Sequence, residues 1–405
     1  EKGATVIFID SKEYESNSNK YKELTEECKN LSVIVVENTL YALQAIAETY
    51  VEQFPELIKV AITGSSGKTT TKELVVSVLK QKYNVVYTQG NFNSETGLPL
   101  SVFKIRKEHE VGVFEMGMNR QDEIGEISKV LKPEYAIITN IGSAHVGMLG
   151  SRDNIAIEKK KAFTYVSKTG AVFIPAEDEY CNFLQKDVLG KVVLFGENVP
   201  SEISHVKYLE DCGLSGSVFC LDGIQINLKI PGIYNYRNAL ASIALAKELD
   251  LTAEEIKAGI ENLSGLNSRM EATELNLKGN IKVNLIRDCY NANFESMSSV
   301  INFCDSLSNV NKRIYVLGDM LELGSESDEI HSKIGKQIAA GHSDYVIFVG
   351  EQMEKAAKVA KENGYSFRII TIEGDVINPS GAITGGSVAK KTVNILGRSR
   401  EIENL

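Results

Sequence analysis

The chain has 405 residues, of which 43% are hydrophobic and 24% charged, with only 7 prolines and a formal net charge of −10; this describes an α/β protein of about two to three domains and excludes disordered and collagenous classes. The acidic balance argues against a nucleic-acid partner, no run approaches ~18 apolar residues, and no charged segment precedes an apolar one as in a signal peptide, so a cytoplasmic protein without a membrane span is expected. Cys28, Cys181, Cys212, Cys220, Cys289 and Cys304 show no C-x-x-C spacing, which points to reduced thiols and to neither a zinc site nor a disulfide framework.

In chain order, residues 4–9 read as a strand, 10–30 as a polar segment and 32–36 as a second strand. A helix over 40–54 carries an apolar stripe at Leu43, Ile46, Ala47 and Val51 and leads through Pro55 to a third strand. That strand, Val60-Ala61-Ile62, runs into a tight loop, Gly64 to Gly67, and a helix from Thr69 onward. Strand, glycine loop and helix form a phosphate cradle: the loop amides and the helix N-terminus face an anion, Lys68 reaches the β/γ-phosphates and Thr69 holds Mg²⁺. In the general pattern G-x-x-x-x-G-K-[ST] the first glycine would fall at Ile62; here it is Gly64, so the loop is the shortened variant T-G-S-S-G-K-T-T. The competing reading is an ordinary strand-turn-helix of a parallel sheet.

From 57 to about 265 strands and helices alternate, the signature of a parallel sheet covered on both faces. A helix over 72–82, a strand over 84–88 and a loop over 90–99 precede strand 111–114, which ends at Glu115; strand 135–140 ends before His145. Ligands of open parallel sheets sit beyond the carboxyl ends of strands, where Thr69, Glu115 and His145 all fall. A helix over 151–167 contains Lys159, Lys160 and Lys161. Strand-rich material follows at 172–174, 192–195 and 216–228, then Pro231 to Asn238 opening a helix over 239–249, and a further helix over 253–263. A boundary is expected near Leu266. Beyond it, strands at 282–286, 313–317 and 345–349 alternate with helices at 295–307, 329–340 and 352–363, a small doubly wound unit.

The loop at 63–70, the strand-end Glu115, His145 after Thr139-Asn140-Ile141, and Gly232-x-Tyr234-Asn235-x-x-Asn238 occur in the order found in the Mur ligases, and the chain resembles that family over residues 30 to 400. Two more stretches, Asp288-Cys289-Tyr290-Asn291-Ala292-Asn293-Phe294-Glu295-Ser296-Met297 and Leu317-Gly318-Asp319-Met320-Leu321-Glu322-Leu323-Gly324 with His331, resemble the member that joins D-alanyl-D-alanine to a UDP-N-acetylmuramoyl-tripeptide. The resemblance implies an α/β fold with a central P-loop parallel-sheet ATPase domain (54–266), a smaller Rossmann-like C-terminal domain (267–405) and a partial N-terminal α/β domain (1–53). It also implies an ATP-dependent, ADP-forming ligase of peptidoglycan precursor synthesis that works as a monomer through an acyl phosphate. Most of the domain that holds the uridine end of the substrate would precede Glu1.

Residue by residue, the resemblance implies nucleotide contacts from Gly64, Ser65, Ser66, Gly67, Lys68, Thr69 and Thr70, from Asn235 and Asn238 at the adenine, from Arg269 at the phosphates and from Asp288 at the ribose. It implies Mg²⁺ held by Thr69, Glu115 and His145, and a carbamate formed from CO₂ on Lys159 as a further anionic ligand. Like-charge repulsion from Lys160 and Lys161 would depress the Lys159 amine. Catalysis would then rest on Lys68, Glu115, His145 and Lys159. Asn291, Asn293, Asp319 and Glu322 would face the substrates, although turn and cap roles fit them equally. The bland readings are a helix-capping charge for Glu115, a packed or solvated ring for His145 and a solvated basic face for Lys159.

The sequence departs from the family pattern at Arg287, Phe294, Gly147, Lys161 and Tyr234, and near Ile395 to Arg400, where Gly397 or Arg398 stands for a lysine. A sister ligase, a folylpolyglutamate-synthetase-like amino-acid ligase and a non-catalytic nucleotide-binding relative are the alternatives.

Overall fold

The computed structural model describes residues 3–197, 199, 206–263, 266, 268–279 and 281–364, with short strands at 368–370, 376–377 and 383–384. The chain divides into two compact units, residues 1–290 and 291–405.

The first unit begins with a parallel pair, β1 (Val6–Asp10) and β2 (Ser32–Val36), in register from Val6 on Ser32. Between them the polar segment is not a loop: it forms helices Ser11–Ser16 and Ser18–Glu27. The Asp10 carboxylate caps the first by accepting from Lys12 N, and the second is rich in Lys and Glu, whose straight side chains lose little freedom in a helix. The next helix, Thr39–Val51, is capped by Asn38. Of its expected apolar stripe, Ala47 and Val51 are buried but Ile46 is exposed, and Gln44 takes a buried place because its amide donates to Glu95 O.

Six strands form the central sheet: β3 (Ile58–Thr63), β4 (Val85–Tyr87), β5 (Val111–Glu115), β6 (Tyr135–Ile138), β7 (Ala171–Pro175) and β8 (Lys191–Phe195). Their order is β4-β5-β3-β6-β7-β8 and every pairing is parallel. Val60, Ala61, Ile62, Val111, Val113 and Phe114 are all fully buried, so these strands read as continuous apolar runs because both faces are covered. The register aligns Ile62 with Glu115 and Thr63 with Ile138. That alignment brings three strand ends to one edge.

Helix Lys68–Leu79 leaves β3 and packs against helices Ile233–Glu248 and Ala253–Asn262. A Cβ on Gly259 would lie 2.4 Å from Val78 Cα, and Ser77 Oγ donates to Gly259 O at 2.6 Å, so the two helices touch through backbone. The Ile233 helix starts six residues before the expected 239, which places Tyr234 to Asn238 in its first turns. The helix expected over 151–167 stops at Lys160 (Arg152–Lys160) and tightens into a short 3-10 turn, Lys161–Phe163.

An antiparallel sheet joins β9 (Val206–Asp211), which the sequence reading did not find, to the hairpin β10 (Ser217–Leu221) and β11 (Ile224–Leu228). The hairpin turns on Asp222 and Gly223, both at positive φ, the backbone that a two-residue turn requires. Strand β13 (Ile281–Arg287) was expected to open the second α/β unit; it pairs instead antiparallel with β12 (Glu271–Leu277), because a short turn containing Gly279 at φ 85 folds the two strands onto each other.

In the second unit β14 (Ile314–Gly318), β15 (Tyr345–Val349) and β16 (Arg368–Ile370) are parallel, and β17 (Val376–Ile377) and β18 (Ile383–Thr384) continue the sheet antiparallel. Helices Phe294–Ser306, Ser327–Ala340 and Met353–Glu362 alternate with these strands as expected. No helix among the described residues is long and apolar enough to cross a membrane.

Candidate active site

The loop between β3 and its helix is shaped by close approach. A Cβ on Gly64 would meet Thr139 Oγ1 at 1.8 Å, and one on Gly67, at φ 78, would meet Asn238 Oδ1 at 2.6 Å. Only glycine fits these positions. The loop is tied to the residues after β6: Ser65 N donates to Asn140 O, Ser66 N to Asn140 Oδ1, Thr139 Oγ1 to Ser66 O at 2.6 Å, and Gly142 N to Ser65 Oγ. Gly67 caps the helix without a side-chain bond, so the first-turn amides of Lys68, Thr69 and Thr70 face outward as donors for an anion.

At the end of β5 the Glu115 carboxylate is 2% exposed. Thr69 Oγ1 donates to its Oε2 at 2.9 Å and Asn93 Nδ2 to its Oε1 at 2.7 Å, while its own amide donates to Thr88 Oγ1. A hydroxyl and a carboxylate oxygen thus stand side by side next to the phosphate cradle. Among the described residues no group of three or more His, Cys, Asp and Glu is gathered for a metal. A cation here would draw the rest of its shell from phosphate oxygens and water, which suits Mg²⁺.

Lys159, 0% exposed, donates from Nζ to Gly64 O at 2.9 Å, and Lys68 Nζ donates to the same oxygen at 2.8 Å. Burial, then the Lys68 charge, push the Lys159 amine well below its ordinary value, with Glu158 opposing. The expected depression by Lys160 and Lys161 is not what the fold arranges. Lys160 Nζ donates to Phe183 O and Lys186 O, and Lys161 Nζ pairs with Asp122 and Glu158, both at 2.5 Å. His145, half-buried and at φ 66, caps the short helix Val146–Leu149. Burial first, then Lys159 and Lys68, push its imidazole down to about 3, so the ring is neutral and keeps a lone pair for a ligand.

Asn235 is buried with Nδ2 donating to Pro231 O, and its Oδ1 accepts from Asn238 Nδ2 at 3.2 Å; Asn238 in turn lies against Gly67. Arg269 and Asp288 lie together in a separate patch. The Arg269 guanidinium sits 4.2 Å from the centre of the Tyr290 ring, and the Asp288 carboxylate accepts from Met270 N. Burial raises the Asp288 carboxyl, against the Met270 amide and Arg269.

In the second unit the motif residues are engaged locally. Asn293 caps helix Phe294–Ser306 through a reciprocal pair with Ser296. Asn291 Oδ1 accepts from Ala292 N. Asp319 Oδ1 accepts from Met353 N at 2.8 Å, and its carboxylate lies against Gly350. Glu322 adopts φ 63 in the turn after β14. His331, fully buried, accepts at Nε2 from Met320 N and donates at Nδ1 to Ser327 O, which fixes its tautomer. The segment 395–400 and Ser264, Gly265 and Asn267 lie outside the described residues.

Several residues at the site escaped the sequence reading. Asn93 and Thr88 hold Glu115, and buried Glu158 and Glu123 each accept two backbone N–H groups, from Asp122 and Ile124 and from Glu95 and Asn119. The nearest sequence signal was the Asn-rich loop at 90–99; nothing local marks the two glutamates.

The family description "Mur ligase middle domain" matches residues 62–246, and "Mur ligase, glutamate ligase domain" matches 268–377. The UDP-N-acetylmuramoyl-tripeptide--D-alanyl-D-alanine ligase of Treponema pallidum is 40% identical over 363 residues, 88% of this chain and 75% of that protein. The Bacillus subtilis protein of the same name is 34% identical, covering 80% of this chain and 69% of its own. The crystal structure of MurF from Acinetobacter baumannii superposes with a TM-score of 0.75 at 30% identity, over 84% of this chain and 73% of that one.

Proposed function

The chain belongs to the Mur ligase family, and we propose that it is the ATP-dependent ligase that joins D-alanyl-D-alanine to UDP-N-acetylmuramoyl-tripeptide, in the cytoplasm, during peptidoglycan precursor synthesis. The observation that carries this reading is the 40% identity across 88% of the chain to a protein of that name. The convergence of two lysines on Gly64 O supports its ATP-using half. We extend the proposal to the three-part division at 1–53, 54–266 and 267–405 and to a monomeric state.

A carboxylate is a poor acyl donor because oxide is a bad leaving group. Phosphorylation by ATP removes that obstacle: the terminal carboxylate of the tripeptide attacks the γ-phosphorus, the bond to ADP breaks, and an acyl phosphate forms. The amine of D-alanyl-D-alanine then attacks the acyl carbon and inorganic phosphate leaves with the electron pair. Bringing anions together is the main barrier, and fixed positive groups lower it more than a general base does. In this chain the helix amides after Gly67 and the Lys68 ammonium hold the phosphates. Asn238 and Asn235 place the adenine beside Gly67, and Arg269 and Asp288 complete the nucleotide contacts. Asn291, Asn293, Asp319 and Glu322 contribute on the substrate side, Asn293 and Asp319 through the helix starts they cap.

Thr69 and Glu115 fit Mg²⁺, which when bound would neutralise phosphate charge, and the neutral His145 ring is proposed as a further ligand to such a cation. Burial and the Lys68 charge push the Lys159 amine towards the unprotonated form that carbamate formation needs; that amine would lose one proton as it takes up CO₂, and the carbamate would add an anionic oxygen beside Gly64. Phosphate release measured with Mg²⁺, ATP and both substrates, omitting each in turn, tests the function. Release that needs all components, with a UDP-linked pentapeptide product by mass spectrometry, is expected; release with a free amino acid in place of the dipeptide would assign a sister activity.

A further inference from the structure

Lys72 is the buried charged residue of the phosphate-loop helix to which nucleotide binding assigns no task, its neighbour Glu73 being partly exposed. It lies one turn beyond Lys68, on the same side of the helix, and its side chain is 1% exposed in the run Leu74, Val75 and Val76. Its Nζ donates to Thr88 O at 2.9 Å, pairs with Glu73 Oε1 at 2.7 Å and stands 5.8 Å from the centre of the Tyr87 ring. A buried ammonium is costly to desolvate, and an apolar residue of the same length often serves stability as well or better. Its placement therefore asks for another reason.

Thr88, at the exit of β4, supplies one. Its amide donates to Val113 O at 3.0 Å and its hydroxyl accepts from Glu115 N at 3.1 Å. The segment then runs to Asn93, whose amide holds Glu115 Oε1 and whose carbonyl accepts from Gly117 N at 2.8 Å. Two of the three groups that orient Glu115 thus hang from the segment that Lys72 pins; the third, Thr69, lies on the helix that carries Lys72.

We propose that Lys72 is a positioning residue: by fixing Thr88, its buried ammonium ties the phosphate-loop helix to the β4 exit and aims the Glu115 carboxylate beside Thr69. This rests on the reading of Thr69 and Glu115 as a Mg²⁺-holding pair. Its contacts are with Thr88, Glu73 and Tyr87, inside the protein.

The test is ADP binding by calorimetry across a Mg²⁺ series, with thermal unfolding and amide exchange at Glu115. Lys72→Met is expected to keep the parent's unfolding temperature or exceed it, to raise the Mg²⁺ needed for half-maximal ADP binding by on the order of tenfold, and to speed exchange at Glu115. Thr88→Val, which removes only the hydroxyl acceptor, should do the same, and Thr88→Ser should restore the parent values. Glu73→Gln should behave as the parent, since Glu73 is partly exposed. Parent Mg²⁺ dependence in Lys72→Met and Thr88→Val, with a shift in Glu115→Gln, would overturn the inference alone. No shift in Glu115→Gln would instead remove the Mg²⁺ pair on which it rests. Should Lys72→Met fail to fold, Lys72→Gln replaces it, because the Thr88 variants leave the backbone carbonyl that Lys72 holds in place: a raised Mg²⁺ requirement supports the inference and a parent one overturns it.

Discussion

Lys68 and Lys159, far apart in sequence, place their Nζ atoms on one carbonyl oxygen, that of Gly64, at 2.8 and 2.9 Å. Two amines cannot share so small a space with both fully charged unless an anion lies between them. Burial and the Lys68 charge depress the Lys159 amine, which leaves Lys68 as the cation for the proposed phosphate contact.

Lys68→Ala is expected to lower the rate of phosphate release by on the order of 10²–10³-fold, the usual cost of removing one preorganised donor from a developing charge. Steady-state release with both substrates present checks this. Parent turnover would sink the assignment of the loop.

Because the folded Lys159 amine sits well below 10.5, the unfolded chain binds a proton there that the folded chain does not. Stability should therefore rise with pH as it climbs towards 10.5. Lys159→Met should flatten that rise and be more stable than the parent at neutral pH, while losing turnover. Urea unfolding in CO₂-free buffer across this range measures the slope; an unchanged slope would contradict a depressed amine.

The His145 imidazole, pushed down to about 3, should not titrate near the ordinary 6.5. Its ring resonances should stay flat from neutral pH down to about 4. A transition near 6.5 would show that the ring is not held by burial beside Lys159 and Lys68. Lys68→Met should move the titration upward, since it removes one of the charges that lowers it.

Glu158, 1% exposed, holds the start of helix Glu123–Leu131 by accepting from Asp122 N and Ile124 N, both at 2.9 Å. Glu158→Gln gives up the charge of both bonds and of the Lys161 pair, and should cost about 1.5–3 kcal/mol of stability. Denaturant unfolding measures it. A loss within error would mean that water replaces the carboxylate.

Where the chain carries strong local patterns, expectation and structure coincide. The strand, loop and helix at 58–79 follow from an apolar run, two glycines and good helix formers, and strand 345–349 falls where expected. Where local pattern was weak, it misled. The segment after Asp10 read only as polar, with no helix assigned, because neither of its two helices buries a residue, and an amphipathic stripe is the signal a sequence reading depends on. The strand at 282–286 was expected, but its antiparallel partner β12 was not, because their pairing depends on a turn and not on the residues of either strand alone.

The sequence by itself determined the strongly patterned elements, the glycine loop at 64–67 and the family, since these depend on residue order and on periodicity along one segment. Only the tertiary structure decided which charges meet. Successive residues on a helix point about 100° apart, so Lys160 and Lys161 turn away from Lys159 towards Phe183 and Asp122. The parallel register of β3 with β5 and β6 brings Lys68, Glu115 and Thr139 to the same edge. Long-range pairing of this kind is set by how buried faces stack, and no local stretch of sequence records it.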